Sequence, residues 1–140
     1  MLSKSEERIL IEAIERAESL SRAELRVHYT TKKSVAQIID AAKAQFERLG
    51  MHQTEERNGI LIYFAPLARQ LAILGDEGIH KHVGQLFWEE THRSCIESIQ
   101  RDGLASGLVH AIETIGQEMA RYFPIGDRNP NELSNDISHD

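Results

Sequence analysis

The stretch Ile60-Leu61-Ile62-Tyr63-Phe64-Ala65 is apolar at all six positions, and a proline follows it directly. It is far shorter than the roughly 20 residues that a helix needs to span a bilayer. A continuous apolar run of this length is typical of a strand that is buried on both faces. The stretch therefore predicts a strand at the centre of a sheet.

A second strand and a helix precede this central strand. Residues 23–30 alternate between apolar and polar side chains, which predicts a strand with one wetter face at a sheet edge. Ser34 is placed to cap a helix with an apolar stripe over residues 35–49, and Gly50 is placed to end it. A strand, a helix and a strand in this order predict a right-handed crossover between two parallel strands.

The chain after the central strand predicts one more strand and then only helices. Residues 66–68 are short enough for a hairpin, so residues 70–74 should run antiparallel to the central strand. Gly75 and Gly78 break this strand. Helical patterns follow over residues 79–83, 85–101 and 104–122, and Ser3 with Glu6 predicts a capped helix at the start of the chain. We expect an α/β fold: a three-layer α/β/α sandwich whose small mixed sheet is covered by helices on both faces.

Length and charge limit the organisation and the class of partner. The 140 residues suit one domain, which we place at residues 1–124, followed by a flexible acidic tail at 125–140. The formal net charge is −6, and four acids and one arginine give the tail half of it. A net negative charge repels phosphate backbones, so we expect no nucleic-acid partner. A protein partner remains open.

Location and redox state follow from what the sequence contains. The charged start is not a secretory signal, and the longest apolar run is too short for membrane insertion. We therefore expect a cytoplasmic protein. Cys95 is the single cysteine, so no internal disulfide forms, and we interpret it as a buried structural thiol. No motif for an organic cofactor is present.

Asp76 and Glu77 are the candidate metal ligands. They lie between two glycines at the end of a predicted strand, where the backbone can bend so that carboxylates converge. Calcium and magnesium ions prefer oxygen ligands of this kind. In the alternative reading, Asp76 caps the following helix by accepting hydrogen bonds from its backbone.

Arg57 and Asn58 are the candidate rim residues at the entry to the central strand. A guanidinium can fork onto phosphate or carboxylate, so Arg57 could hold an anionic substrate. In the alternative reading, Asn58-Gly59 supplies a turn with positive φ and Arg57 pairs with a neighbouring acid. An antiparallel hairpin brings Asp76 and Glu77 back to the same end of the sheet as this turn.

Three histidines invite a zinc reading, which the spacing disfavours. His80 and His82 are two residues apart and would point about 200° apart on a helix. His92 falls instead on an apolar stripe with Trp88 and Cys95. We interpret it as a histidine at the edge of the core.

The chain resembles the TPM domain family, named after thylakoid-lumen, photosystem II-repair and membrane-associated modulator proteins. The matching segments cover roughly residues 3–135 in order. They are Ala23-Glu24-Leu25-Arg26-Val27, Arg57-Asn58-Gly59-Ile60-Leu61-Ile62-Tyr63, Ala72-Ile73-Leu74-Gly75-Asp76-Glu77-Gly78-Ile79, Trp88, a helix with Gly107-Leu108, Ala111-Ile112 and Ile115-Gly116, and Phe123-Pro124 with Asn131-Glu132-Leu133. The resemblance implies an α/β/α sandwich, divalent-metal binding and, for plant lumenal members, acid phosphatase activity.

Three functions remain open from the sequence. The first is an accessory or interaction module that binds Ca²⁺ or Mg²⁺ through Asp76 and Glu77. The second is a metal-assisted acid phosphatase acting on phosphate esters, in which Asp76 positions the ion and Arg57 holds the phosphate. The third is a metal-free scaffold that binds a partner through the sheet rim or the acidic tail.

Overall fold

A computed structural model describes residues 2–126 and 137–140 of the chain. Its helices and strands follow the predicted order, with one short strand added at the end. The helices are α1 (Lys4–Leu20), α2 (Ile38–Arg48), α3 (Glu77–Asp102) and α4 (Leu104–Tyr122), and the strands are β1 (Glu24–Tyr29), β2 (Gly59–Ala65), β3 (Gln70–Gly75) and β4 (Ser138–His139).

The four strands form one mixed sheet in the order β3-β2-β1-β4. β1 and β2 are parallel and joined through α2, as predicted, and β2 and β3 form the predicted antiparallel hairpin. Every residue of β2 is buried, which agrees with its central position. β4 pairs in parallel with His28 and Tyr29 of β1, so the prediction that β1 lies at the sheet edge is wrong.

Helices cover both faces of this sheet and confirm the three-layer α/β/α sandwich. Alternate strand residues such as Ile60, Ile62 and Phe64 pack into the main core with α1, α3 and α4. The residues between them, such as Leu61 and Tyr63, pack against α2 in a smaller cluster. Because β2 is apolar on both faces, it can contribute to both cores at once.

The helix ends show where local sequence signals succeed and fail. The capping box of α1 is present: Ser3 Oγ accepts from the Glu6 amide at 3.1 Å, and Glu6 Oε1 accepts from the Ser3 amide at 2.9 Å. The prediction of a Ser34 cap is wrong, because α2 begins at Ile38 with Gln37 at the N-cap position. A 3-10 turn, Met51–Gln53, follows α2 and was not predicted.

Gly84 divides α3 into the two helical segments that the sequence predicted. Its φ of 75° and ψ of 174° are not helical, and they interrupt the helix between Val83 and Gln85. Glycine adopts such a positive φ with little steric cost. Gly103 has a φ of 99° and separates α3 from α4.

The predicted acidic tail lies partly on residues 127–136, outside the described residues. Its last residues are part of the sheet, because Ser138 and His139 form β4. The Asp140 amide also donates to the Tyr29 carbonyl at 3.1 Å. The far end of the predicted tail therefore lies against β1.

Candidate functional site

The turn before β2 and the start of α3 meet at one end of the sheet. The hairpin returns the chain to this end, where the Asp76 amide donates to the Gly59 carbonyl at 2.9 Å. The Gly78 amide donates to the Arg57 carbonyl, also at 2.9 Å. The structure therefore brings together Arg57, Asp76 and Glu77, as the topology predicted.

Arg57 forms a two-pronged ion pair with Asp76. Its Nε donates to Asp76 Oδ2 at 2.7 Å and its Nη2 donates to Oδ1 at 2.8 Å. The Asp76 side chain is only 8% exposed, whereas that of Arg57 is 41% exposed. The hydrogen bonds to Asp76 raise the pKa of Arg57, so the guanidinium stays charged. This arrangement fixes the plane of the guanidinium at the surface.

Asp76 also caps α3, because its Oδ1 accepts from the Glu77 amide at 2.8 Å. The helix-cap reading of Asp76 and the ion-pair reading of Arg57 are therefore both confirmed. The predicted turn differs in one respect. The positive φ, 50°, falls on Arg57 rather than on Asn58 or Gly59.

Asn58 lies behind the rim, with 2% of its surface exposed. Its Nδ2 donates to the Arg22 carbonyl at 3.1 Å, and its backbone amide donates to Thr54 Oγ1 at 3.2 Å. These contacts fasten the turn to the start of β1. The structure therefore places Asn58 among the residues that support the rim and not among those that line its opening.

A cleft of about 650 Å³ opens beside the Arg57–Asp76 pair, and we call it the rim cleft. Its lining combines charged side chains with aromatic rings. It is formed by Arg22, Glu55, Glu56, Arg57, Glu77, Gly78, Lys81, His82, Tyr122 and Phe123. The volume lies within the roughly 300–1,000 Å³ of ligand pockets in proteins.

Sequence reasoning missed Arg22 and Glu56 on the wall of this cleft. Arg22 Nε donates to Glu56 Oε2 at 3.0 Å, and Nη2 donates to Oε1 at 2.9 Å. The pair raises the pKa of Arg22 and lowers that of Glu56, because each stabilises the charged form of the other. No local motif marks two residues 34 positions apart. Only the meeting of β1 with the β2 turn brings them together.

The divalent cation that the resemblance implies does not fit Asp76 in this arrangement. Both Asp76 oxygens already accept hydrogen bonds from Arg57, and the guanidinium occupies the space in front of them. A divalent cation beside that guanidinium would be repelled. Within residues 2–126 and 137–140, no three His, Cys, Asp or Glu side chains are grouped so that they could hold a metal ion. The predicted metal ligation by Asp76 and Glu77 stays a prediction.

The histidines are distributed over different contacts. His80 Nδ1 accepts from Trp88 Nε1 at 3.2 Å, while the His82 ring stacks on Tyr122 with 4.9 Å between centroids. His92 Nε2 lies 2.8 Å from the Leu71 carbonyl oxygen. Each imidazole therefore has a separate structural partner.

Cys95 is fully buried, as the sequence predicted. Its Sγ lies 3.4 Å from the Gly107 carbonyl oxygen. Burial raises the pKa of its thiol to about 12. A neutral, buried thiol is a structural group.

Among the helices of the described residues, none combines the length and the apolar character needed to cross a membrane.

Comparison with known proteins shows similar solved structures. The NMR structure of BA42 protein from the psychrophilic bacterium Bizionia argentinensis is 34% identical, with a TM-score of 0.91 over 100% of this chain and 96% of that chain. The N-terminal domain of cg2496 protein from Corynebacterium glutamicum is 12% identical, with a TM-score of 0.66 over 98% of this chain and 80% of that one. The N-terminal domain of a P. gingivalis protein is 18% identical, with a TM-score of 0.71 over 91% of this chain and 83% of that one. The last two show the fold alone.

The family comparison covers most of the chain. No curated protein matches it. The family model of the TPM domain matches residues 1–118. This range contains α1, α2, α3, all of α4 except its last turn, and the strands β1 to β3. The chain therefore belongs to the TPM domain family.

Proposed function

We propose that this TPM-domain chain is a binding module whose rim cleft receives an anionic group of its ligand. Arg57 is the principal contact for that group, and Asp76 holds Arg57 in place. The observation that carries the proposal is the two-pronged ion pair between these residues at the edge of the cleft.

The ion pair leaves one side of the guanidinium available. Asp76 accepts from Nε and Nη2, whereas Nη1 lies 3.3 Å from Glu77 Oε1. The Glu77 side chain is 74% exposed, so this contact is weak and can be exchanged. An incoming anion can replace Glu77 while Arg57 keeps its bonds to Asp76. Such a prearranged donor loses little conformational entropy on binding.

Other residues of the rim cleft suit the same kind of ligand. Lys81 is exposed and, within the described part of the chain, its ammonium group makes no hydrogen bond or ion pair. The stacked rings of His82 and Tyr122 supply an apolar surface near these cations. A ligand with a carboxylate or phosphate group and an apolar part would use both features.

A calcium-binding or magnesium-binding module is the main alternative at this site. It requires that the cation replace Arg57 at Asp76, and nothing in the observed geometry favours that exchange. Metal-assisted phosphatase activity likewise stays a prediction from the resemblance.

An NMR titration with inorganic phosphate tests the proposal. We expect saturable shifts in the amides of Arg57, Gly78 and Lys81. The variant R57K should abolish most of the response, because an ammonium cannot form the two-pronged contact. The variant K81Q should weaken it. K43Q removes an exposed cation of α2 and should leave the response unchanged.

Calcium chloride in a parallel titration separates the two functions. Shifts confined to the phosphate titration support the anion-binding module. Saturable shifts at Gly75 to Gly78 with calcium, and none with phosphate, would reject it in favour of a cation site. Equal responses of R57K and the wild-type protein to phosphate would also reject it.

A further inference from the structure

The outer edge of β3 carries backbone groups that point away from the sheet. In an antiparallel pair, successive residues point alternately towards the partner strand and away from it. Asp76 donates to Gly59, so the register turns the amides and carbonyls of Leu71, Ile73 and Gly75 outward. β3 ends the sheet on this side, in the order β3-β2-β1-β4.

A groove of about 370 Å³ runs along this edge, and we call it the edge groove. β3 forms its floor, with α2 on one side and α3 on the other. Its lining is Ile39, Leu71, Ala72, Ile73, Gln85, Trp88, Glu89 and His92. None of these residues lines the rim cleft.

One acceptor of the outward edge is occupied, and the neighbouring Ile73 is open. His92 Nε2 is 2.8 Å from the Leu71 carbonyl oxygen, so it takes that acceptor. The Trp88 ring lies so close to Gly75 that a side chain there would overlap it. Within the described residues, no group bonds to the outward amide and carbonyl of Ile73.

Natural proteins protect an exposed strand edge with charges, prolines or bulges, or cover it with a helix or loop. Here α2 and α3 flank the edge and leave the edge groove between them. The strand from Gln70 to Gly75 contains no charged residue and no proline. Its six residues pair with β2 in continuous register, without a bulge. The edge is therefore competent to accept another strand.

We propose that the edge groove binds an extended peptide segment of a partner protein as an added strand beside β3. Alternate side chains of such a peptide project towards α2 and towards α3. The peptide side chains that face α2 should be apolar, because they meet Ile39, which is 47% exposed. Those facing α3 meet Trp88 and Glu89 and should be basic.

Charge and shape favour this occupant over a second copy of the chain. Glu89 is exposed and, among the described residues, forms no ion pair, so a basic side chain has an unopposed acid to meet. The edge lies between two helices, at the floor of a groove. A single peptide strand can enter such a groove, whereas two recessed edges cannot approach each other.

The test uses the full chain and the capped heptapeptide Ac-Thr-Val-Lys-Val-Lys-Val-Thr-NH2. We expect saturable shifts in the amides of Leu71, Ile73 and Gly75, and slower hydrogen exchange at Ile73. Of two such peptides, methylated on the nitrogen of the central valine or on that of the lysine after it, one should fail to bind, because only alternate amides of an added strand point towards β3. E89K should weaken binding about two- to fivefold, as expected for loss of a surface ion pair. E90K reverses a neighbouring exposed charge outside the groove and should have no such effect.

Several results would overturn the proposal. One is the absence of shifts in β3 at millimolar peptide, and another is binding by both methylated peptides that equals the binding of the unmethylated one. An equal loss with E89K and E90K would show a general charge effect. Shifts of the β3 amides on concentrating the protein alone, with a dimer in sedimentation, would assign the edge to self-association. None of these results depends on whether phosphate binds at Arg57.

Discussion

Glu18 and Glu24 are two acids that share one environment between α1 and β1. Glu24 is 2% exposed, and the Glu18 Oε1 atom is buried. Burial, followed by the hydrogen bond with Glu24, raises the pKa of Glu18 well above its ordinary value of 4.5. The folded protein therefore holds a proton on this pair at neutral pH.

This raised pKa gives stability a definite pH dependence. The pair contributes its full stabilisation below the unfolded-state pKa of 4.5. That contribution is lost as the pH rises towards the folded-state pKa, because the unfolded chain then binds fewer protons than the folded one. The amide side chain in the E18Q variant cannot ionise, and it can still form the hydrogen bond with Glu24. We expect E18Q to exceed the wild type in stability at about pH 8, with the difference shrinking towards about pH 5.

Urea unfolding at several pH values measures this difference. E12Q changes an exposed acid on the same helix and should follow the wild-type curve. If the wild type and E18Q differ by a constant free energy across this range, Glu18 has no raised pKa.

For Arg57, the sequence predicts the position in the fold but not the partner of the side chain. The sequence placed Arg57, Asp76 and Glu77 at one rim, because strand order and hairpin length determine which ends meet. It left open whether Arg57 or a metal ion would neutralise Asp76. That outcome depends on the direction of the Arg57 side chain, which follows from a φ of 50° that the Asn58-Gly59 pattern assigned to its neighbours.

The start of α3 touches the turn before β2 at Gly78. A Cβ atom on Gly78 would overlap the backbone carbonyl oxygen of Glu56 and approach that of Arg57. Backbone atoms cannot move aside as the end of a side chain can. Gly78 is therefore required for α3 to begin beside the rim.

G78A should separate these two elements. We expect it to lower the free energy of unfolding by roughly 1–3 kcal/mol, the usual cost of overpacking, and to weaken phosphate binding at Arg57. G126A is the matched control, because a Cβ there meets no atom of residues 2–126 or 137–140 within 4 Å. It should change stability by less than about 0.5 kcal/mol. Chemical denaturation of both variants provides the measurement. Equal free energies of unfolding for G78A and G126A would show that the turn before β2 can shift to make room for the methyl group.

The elements were predictable where their signal is local. Continuous apolar character identified β2, a short proline-containing loop identified the hairpin, and the predicted helical segments end on either side of Gly84 and Gly103. β4 was not predicted, because two residues contain no periodicity. Its partner, β1, lies 110 residues earlier in sequence, at His28 paired with Ser138.

At the scale of the whole molecule, the two proposed binding surfaces lie in different places and have opposite preferences. The rim cleft presents Arg57 and Lys81 to an anion, whereas the edge groove presents Glu89 to a positively charged side chain. A net charge of −6 describes neither surface. The charges nearest each surface decide what it binds, since interactions between exposed charges are largely screened beyond about 8–10 Å at physiological salt.

The Arg57 Nε–H signal in a ¹⁵N NMR spectrum, followed during a calcium titration, reports directly on what neutralises Asp76. R57K removes the signal and so assigns it. We predict that excess calcium leaves the signal in place and slow to exchange with water, because Nε stays bonded to Asp76 Oδ2 at 2.7 Å. Inorganic phosphate should instead shift the Nη1 side of the same guanidinium. A saturable loss of the Nε–H signal with calcium, together with shifts at Gly75 to Gly78, would show that a cation displaces Arg57 and would contradict the anion-binding function.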